Sequence, residues 1–417
     1  MKIIQSLWSK PSESQDTDMF GRAVGGFMDS RFHYMSWALS CLTFKKYYKT
    51  IELVTDEIGY KMLIDELHLP YSKVTVCLDE LNNYHPKLWA LGKIKAYQLQ
   101  KEPFLHVDGD VFIWKQLGSK LFHKQNLIVQ NMEDNYEFYD DILKSIHECF
   151  SYIPECVKTQ YRICNNLSSI NAGIIGGSDI DFFQNYTREV FKFVDNNIDY
   201  FDNINIGMFN CVYEQYLFCS LAKSLNKPIK PFVKLDPKKE FTEVMRFDLI
   251  PFERAYIHLM GLSKRNIFGC EQVEMRLKYE FPQYYETICD RFDNSYFSKS
   301  DDRFEKLKTV YNFFKQTSID DFLMTPLRLS SHVKIMENLE INTLSFTSPQ
   351  TSKQVEIQLE GWNTALAAFK EPTSGNELLS ILTENVNLNK KDMLSLKLEI
   401  VGFLSDHLTY KDILSLA

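Results

Sequence analysis

The sequence has no Cys-x-x-Cys pair, although it contains nine cysteines between Cys41 and Cys289. This scatter offers no zinc-ligand spacing and is typical of reduced thiols in a cytoplasmic protein. No stretch approaches the roughly 18 apolar residues that a membrane helix needs, and the N-terminal segment MKIIQSLWSKPSES has no apolar signal-peptide core. Basic residues are not in excess, since the net charge is -8. We therefore expect a cytoplasmic protein with no transmembrane segment and no nucleic-acid partner.

Repeats and low-complexity tracts are also lacking, and 45% of the 417 residues are hydrophobic. A chain of this kind can build one large domain and a smaller one. Its first half alternates short apolar runs with helical patterns, which predicts an α/β fold with a Rossmann-like sheet. The predicted strands include KIIQSLW, TIELVTD, SKVTVCL, PFLHVDGD, SSINAGIIGGSD and RAYIHLMG, and the helices between them include FHYMSWALSCLTFKKYY, YKMLIDEL, KLWALGKIKAYQLQ and DIDFFQNYTREVFKFV.

The pattern changes beyond about Gly269, where helical segments follow one another. They are EQVEMRLKYEFPQYYETI, DDRFEKLKTVYNFFKQT, GNELLSILTENV and KDMLSLKLEIVGFLSDHL. The segment from Asp320 to Lys353 is less regular and marks a domain boundary. We therefore predict a first domain at residues 1–318 and a mainly helical C-terminal domain at 319–417. The second would bind an acceptor, mediate oligomerisation, or only pack as a structural unit.

Two aspartates stand out at the end of a buried-looking strand, in FLHVDGDVFIW at residues 104–114. Asp108 and Asp110 can share one face, so they would repel each other unless a positive group lies between them. An isolated Asp-x-Asp is most often a polar turn. A dinucleotide site is disfavoured because GRAVGG lacks the G-x-G-x-x-G spacing. A phosphatase of the haloacid dehalogenase class, in which the pair would act as nucleophile and acid/base, and a metal-dependent sugar-nucleotide transferase remain open.

Further motifs favour the transferase. In order along the chain, LGKIKAYQL, VDGD, NAGIIGG and HLMGLSK resemble the glycogenin-like family of retaining GT-A glycosyltransferases, which includes bacterial lipopolysaccharide glycosyltransferases. The resemblance covers roughly residues 1–268. It implies a GT-A nucleotide-sugar-binding domain, with the remaining helices as an extension. His258, Gly261 and Lys264 match the family's His-x-x-Gly-x-x-Lys, and Glu214 and Gln215 correspond to its helical Asp-Gln pair.

The resemblance also implies roles for individual residues. Asp108, Asp110 and His258 would hold Mn²⁺ or Mg²⁺, a donor set that suits Mn²⁺. Lys264 would meet the diphosphate as it leaves, and Glu214 would be a carboxylate of the sugar pocket. The donor-binding residues implied are Gln5, Trp8, Asp56, Lys93, Asn171, Ala172, Gly173, Gly261 and Lys264.

Structural alternatives exist for several of these positions. His258 can instead be a core histidine bonded to a carbonyl group, and Lys93 can be a helix-surface residue. Asp56 can cap a helix that starts near Glu57, which is the interpretation we favour. The acidic segment EDNYEFYDD, Glu133 to Asp141, is interpreted as a solvated face or a lid.

Together these patterns predict a metal-dependent glycosyltransferase that uses a nucleotide sugar, expected to be a UDP-sugar, with retention at the anomeric carbon. Its acceptor would be a saccharide or a peptide, and a homo-oligomer is compatible with the sequence. The phosphatase is the main alternative, and a sugar-nucleotide-binding protein without activity is the third. The sequence specifies neither the sugar, nor the acceptor, nor the oligomeric state.

Overall fold

The apolar runs at the start of the chain form neighbouring parallel strands, as their residue pattern predicts. In the computed structural model, two compact units are present, one of residues 1–245, 257–266 and 276–292 and one of residues 246–256, 267–275 and 293–417. The structure describes residues 2–13, 22–118, 126–134, 136–163, 167–235, 243–292, 301–337, 341–384 and 386–417.

The first unit is a mixed α/β domain. Its strands are β1 (Lys2–Leu7), β2 (Ile51–Thr55), β3 (Lys73–Val76), β4 (Phe104–Val107), β5 (Val111–Ile113), β6 (Leu127–Asp134), β7 (Ser168–Gly177), β8 (Ile229–Pro231) and β9 (Tyr256–His258). The helices in this part of the chain are α1 (Lys10–Glu13), α2 (Ser30–Tyr47), α3 (Glu57–Tyr60), α4 (Leu91–Gln98), α5 (Glu137–Cys149), α6 (Glu155–Ile163), α7 (Ile180–Asp195), α8 (Ile206–Asn210), α9 (Leu217–Ser224), α10 (Ile267–Glu280) and α11 (Pro282–Phe292).

Within the described residues, the central sheet has seven strands in the order β3-β2-β1-β4-β7-β6-β8. The pairs β1–β2, β2–β3, β1–β4 and β6–β8 are parallel, whereas β7 is antiparallel to both β4 and β6. After β3 the chain returns to the opposite side of β1 to form β4, so strand order reverses between β1 and β4. In open α/β sheets, ligands bind beyond the carboxyl ends of strands at such a switch point. A separate pair of strands, β5 and β9, lies at that end.

Burial explains why these elements form. All four residues of β4 are buried, as a strand covered on both faces requires. Helix α7 begins where the Asp179 carboxylate accepts a hydrogen bond from the Phe182 amide (3.2 Å). Its buried residues Phe183, Val190 and Val194 recur at helical spacing, and each large apolar side chain buried in this way contributes about 1.5–3 kcal/mol.

The second unit combines helices with short strands, and the sequence patterns predict only the helices. Its short strands, of two to five residues, carry too little alternation to be recognised in the sequence. They are β10 (Pro326–Leu329), β11 (Lys334–Met336), β12 (Thr343–Thr347), β13 (Gln354–Gln358), β14 (Thr373–Ser374) and β15 (Leu414–Leu416), arranged as sheets β14-β10-β15 and β11-β12-β13. The helices are α12 (Asp301–Gln316), α13 (Ile319–Met324), α14 (Gly375–Thr383) and α15 (Lys390–Thr409).

One apolar cluster of the second unit contains residues from before and after Lys353. Phe322 and Leu327 belong to the same buried group as Leu404 and Leu414. We therefore expect a chain truncated after Lys353 to be insoluble, because it loses β14 and β15, the two partners of β10, together with the α15 side of the core. Fractionation of lysate and far-UV circular dichroism check this outcome. A soluble truncation with a cooperative melt would contradict it.

Among the helices that the structure describes, none combines the length and the apolar composition required to span a bilayer.

Candidate functional site

Asp108 and Asp110 lie in the turn that joins β4 to β5, beyond the carboxyl end of β4. Three backbone hydrogen bonds hold this turn: the Asp108 amide donates to the Gly173 carbonyl (3.0 Å), the Val111 amide donates to the Asp108 carbonyl (3.1 Å), and the Leu259 amide donates to the Asp110 carbonyl (3.0 Å). The turn is thereby fixed both to β7 and to the chain that follows β9. The i, i+2 spacing therefore places both carboxylates at the switch point, as the sequence predicts.

Gly109, between the two aspartates, lies against Trp37 of α2. A Cβ atom there would lie only 2.6 Å from the indole ring, and the Gly109 carbonyl accepts a hydrogen bond from Ser36 Oγ (2.8 Å). Any larger residue would push the turn away from the helix, which makes the glycine a requirement of close packing.

Gln5, on β1, supports the same turn through hydrogen bonds. Its side chain is fully buried, and its Nε2 donates to Ser40 Oγ (2.9 Å), which in turn donates to the Val111 carbonyl (2.7 Å). Its Oε1 accepts from the Tyr71 hydroxyl (2.8 Å). The family resemblance implies that Gln5 lies in the donor pocket. In the structure its side-chain amide instead forms hydrogen bonds with Ser40 and Tyr71, and these contacts support the turn that carries Asp108 and Asp110.

The ligand atoms of Asp108, Asp110 and His258 lie within 4.8 Å of one another. His258 comes from the end of β9 and is buried, with its Nε2 atom 3.3 Å from Asp110 Oδ1. Two carboxylates and an imidazole form a donor set that suits Mn²⁺ and tolerates Mg²⁺. The structure thus brings together the three residues that the sequence predicts as metal ligands.

The hydrogen bonds of His258 support metal binding. Its Nδ1 lies 2.7 Å from Gln130 Oε1, and Gln130 Nε2 donates to Asn131 Oδ1 (3.0 Å), which orients the amide. A neutral His258 must then donate from Nδ1, so Nε2 presents a lone pair. That lone pair faces Asp110 Oδ1, a buried oxygen that accepts no hydrogen bond of good geometry in the described structure. Two electron-pair donors that face each other in this way are stabilised by a shared cation.

Gly173 leaves room for this arrangement. A Cβ atom on Gly173 would lie 2.3 Å from His258 Nδ1 and 2.5 Å from Gln130 Oε1. Its role is therefore to admit the histidine and its hydrogen-bond partner beside β7, rather than to adopt a special backbone conformation. The sequence places Gly173 in the donor pocket, and the structure places it under the metal cluster.

Lys264 approaches Asp110 from a short 3₁₀ turn, Gly261–Arg265. Gly261 opens this turn with φ +56°, a left-handed conformation that favours glycine, and no atom would crowd a Cβ there. The Lys264 ammonium forms an ion pair with Asp110 Oδ2. Burial alone would raise the pKa of Asp110, but the Lys264 ammonium holds it well below its usual range. Asp110 is therefore ionised at neutral pH.

Lys93 and Glu214 form a second buried group beside Asp108. Lys93 Nζ lies 3.0 Å from Asp108 Oδ1 and 2.6 Å from Glu214 Oε1, and it donates to the Ala172 carbonyl (3.2 Å). Burial lowers the pKa of Lys93, but the charges of Asp108 and Glu214 outweigh it and raise the pKa overall. Lys93 is thus a buried cation of the site rather than a residue of the helix surface.

Glu214 belongs to a π-helical turn, Cys211–Tyr216, between α8 and α9. Such turns occur frequently at functional sites. Burial raises the pKa of Glu214, Lys93 opposes this rise, and Asp108 adds to it. Gln215 is also buried.

Asn171 lies on β7 next to Glu133, a carboxylate that the sequence pattern assigns to a solvated face or a lid. Its Nδ2 donates to Glu133 Oε1 (3.0 Å), and its Oδ1 accepts from the Gly173 amide (3.0 Å). Glu133 is 3% exposed and also accepts from the Tyr139 hydroxyl (3.1 Å). The interpretation of Glu133 to Asp141 as a solvated face or lid is therefore wrong for Glu133. Glu133 belongs to β6 and points inward, whereas its neighbour Asp134 is exposed.

Burial raises the pKa of Glu133 to about 7, against hydrogen bonds from Asn171 and Tyr139 and with a contribution from Glu214. In the unfolded chain the glutamate has a pKa of 4.5, so the folded protein loses stability as the pH rises from 4.5 to about 7. We expect Glu133→Gln to gain stability relative to the wild type over this interval, by on the order of 1–3 kcal/mol. Urea denaturation at pH 5 and pH 8 measures the difference. A difference that does not change with pH would contradict the assignment.

Asp56 and Trp8 are engaged in structural contacts at the end of β1. Asp56 accepts hydrogen bonds from the Ser9 amide (2.7 Å) and from the Gly59 amide (2.8 Å), which confirms that it caps the helix beginning at Glu57. Trp8 Nε1 donates to Asn82 Oδ1 (3.1 Å), and its ring belongs to the main core. Neither side chain is among those that surround the metal cluster.

Residues 1–291 match a protein family described as a family of unknown function (DUF6734). This match covers more than half of the 417 residues, so the chain belongs to that family. A search of curated proteins gives no match.

Proposed function

We propose that this member of the DUF6734 family is a metal-dependent glycosyltransferase with a GT-A fold, which transfers a sugar from a nucleoside diphosphate sugar such as a UDP-sugar to an acceptor. The observation that carries the proposal is the contact of His258 with Asp110. A buried imidazole nitrogen and a buried carboxylate oxygen lie 3.3 Å apart at the end of β4, with a lysine on the other oxygen. Such a cluster is suited to bind a divalent cation, and the bound cation can in turn bind an anionic group such as a diphosphate.

The topology supports this proposal. The parallel strands β3, β2, β1 and β4 form a Rossmann-like half-sheet, and the aspartate turn lies just beyond its switch point. The antiparallel strand β7 carries Asn171, Ala172 and Gly173 to the same end. The motifs that suggest the family resemblance, which are far apart in the sequence, thus meet at one site.

The residues have distinct chemical roles in this proposal. Asp108, Asp110 and His258 would hold Mn²⁺ or Mg²⁺, and the bound ion supplies charge neutralisation for a diphosphate. As the bond between the anomeric carbon and the phosphate oxygen breaks, negative charge accumulates on the leaving diphosphate, and the Lys264 ammonium stabilises that charge. Lys93 holds Asp108 and Glu214 in place. Retention at the anomeric carbon follows from the family resemblance.

The phosphatase alternative fits the site less well. In that reaction Asp110 would act as the general acid and would have to carry a proton. Its ion pair with Lys264 keeps the pKa of Asp110 low, which disfavours the protonated form that a general acid needs.

A donor panel tests the proposal. Purified protein is incubated with individual nucleotide sugars and Mn²⁺, release of the nucleoside diphosphate is measured, and EDTA serves as the control. We expect release with at least one donor and its loss with EDTA. Hydrolysis of p-nitrophenyl phosphate without any donor cleavage would instead support the phosphatase. Binding of a donor in calorimetry without turnover, in the presence and absence of candidate saccharides, would indicate a binding protein.

A further inference from the structure

Arg22 is a cation of the same site that no sequence motif indicates. Its guanidinium lies over the indole ring of Trp89, 4.1 Å from the ring centre. Trp89 lies two residues before α4, the helix that carries Lys93. The Trp89 Nε1 atom is buried and donates to no described group. The stacked pair of Arg22 and Trp89 therefore lies near the N-terminus of the helix that carries Lys93. The Trp89 N–H group can donate a hydrogen bond that no described residue accepts.

A strained turn holds Arg22 in this position. Val24, Gly25 and Gly26 follow it with φ values of +45°, +68° and +83°. A left-handed conformation is costly for a β-branched residue such as Val24, and strain of about 1–3 kcal/mol persists only where the surroundings impose it. Gly25 is pressed against α2, since a Cβ atom there would lie 2.0 Å from His33 Nδ1. This turn also contacts the Gly261–Arg265 turn that carries Lys264.

The charges of the site leave Arg22 without a carboxylate of its own among the described residues. Asp108 and Glu214 pair with Lys93, and Asp110 pairs with Lys264. Burial lowers the pKa of Arg22, and electrostatic interactions with Asp110, Cys211, Asp108 and Glu214, in decreasing order, oppose this shift. Arg22 thus senses three carboxylates without forming an ion pair with any of them.

The charges of these side chains indicate which kind of ligand the site would bind once it holds a metal ion. Asp108, Asp110 and Glu214 carry three negative charges, and Lys93, Lys264 and Arg22 carry three positive charges. A divalent cation would add two positive charges, so these six side chains and the ion together would carry two excess positive charges, which match the two negative charges of the diphosphate in a nucleotide sugar. Binding an anion would restore balance in a partly buried cleft, where uncompensated charge is costly.

We propose that Arg22 is a substrate-binding residue whose guanidinium contacts an anionic group of the nucleotide sugar. The inference rests on the proposed function, and it adds a second loop, Arg22–Gly26, to the anion-binding surface formed by Lys264. The anion is either the diphosphate or a carboxylate on the transferred sugar. A planar guanidinium held against an aromatic ring can bind either of them with two parallel hydrogen bonds.

Calorimetric titrations with saturating Mn²⁺ test the inference, with UDP, UDP-glucose and UDP-glucuronic acid as the probes. Arg22→Met is expected to weaken binding by about 10- to 100-fold, since it removes charge-assisted hydrogen bonds, and Arg22→Lys to recover part of the loss. Equal losses for the three probes assign Arg22 to the diphosphate. A loss confined to UDP-glucuronic acid assigns it to a sugar carboxylate.

Arg291→Met is the matched control, because Arg291 also stacks on an aromatic ring, that of Tyr34, but pairs with Glu66 away from the site. Titration with Mn²⁺ alone shows whether Arg22→Met has kept the metal cluster; should it not fold, the comparison of Arg22→Lys and Arg22→Gln replaces it. Wild-type affinity of the Arg22 variants for all three probes would overturn the inference and leave the proposed function intact. Absence of binding by the wild-type protein would overturn both.

Discussion

Replacement of Asp110 by asparagine is expected to reduce metal-dependent turnover by on the order of 10³-fold or more. The change removes one negative charge from a cluster in which His258 and Lys264 both face the same carboxylate. An amide is a poor ligand for a divalent ion and leaves Asp108 as the only carboxylate of the group. The loss should appear in binding as well as in rate, because the metal and the diphosphate are held together.

The fold should survive this change. The Asp110 carbonyl, which accepts from the Leu259 amide, is retained, and asparagine has the shape of aspartate. Mn²⁺ titration, donor turnover and thermal melting are measured side by side. Asp179→Asn is the control, because Asp179 is likewise buried and paired with a lysine, Lys227 at 2.7 Å. It follows Gly177, which pairs with Phe104 at the end of β4 opposite to Asp108. Full activity of Asp110→Asn in EDTA would remove the metal hypothesis.

Much of the first unit could be predicted because its strands and helices have strong local patterns. PFLHV is apolar throughout and forms the fully buried β4, while DIDFFQNYTREVFKFV has the helical spacing seen in α7. The second unit was predicted less well. Its strand β14 has two residues and β11 has three, and pairing between distant segments, rather than local alternation, creates them.

The candidate site shows a similar division. Asp108, Asp110, His258 and Lys264 could be found because they belong to short motifs with fixed spacing. Their meeting place depends on strand order, which no local pattern encodes. The family resemblance implies donor contacts for Gln5, Trp8 and Asp56, which lie in or near the ends of the first two strands. Strand ends also need side chains that satisfy backbone groups, and Asp56 does so for the amides of Ser9 and Gly59.

Glu133 and Arg22 were missed for different physical reasons. Glu133 begins a run of acidic residues, and the composition of that run outweighed the two-residue alternation that places Glu133 inward and Asp134 outward. That alternation was the available signal. Arg22 lies in an irregular turn next to glycines, and its position depends on left-handed backbone conformations and on a tryptophan 67 positions away. No sequence spacing could have indicated it.

Replacement of Lys264 by methionine should change metal binding and turnover in opposite directions. The Lys264 ammonium forms an ion pair with Asp110 Oδ2, so it competes with a divalent ion for the same carboxylate. Without nucleotide, Lys264→Met is therefore expected to bind Mn²⁺ more tightly than the wild type, by about 10-fold, the effect of removing one nearby like charge. Turnover should nevertheless fall by on the order of 10²-fold, because the leaving diphosphate loses its stabilising cation.

An increase in Mn²⁺ affinity together with a decrease in turnover is specific to a mechanism in which Lys264 changes its partner from Asp110 to the diphosphate. When a metal ion takes Asp110, Lys264 becomes available to an anion, so metal and nucleotide should each raise the affinity for the other in the wild type, and this coupling should shrink in Lys264→Met. Calorimetric titrations of Mn²⁺ with and without UDP measure it. Lys227→Met, which breaks the remote pair with Asp179, should leave both affinities unchanged. Weaker Mn²⁺ binding by Lys264→Met would show that the lysine supports the metal cluster instead of competing with the ion, and wild-type turnover would exclude a role for Lys264 at the leaving group.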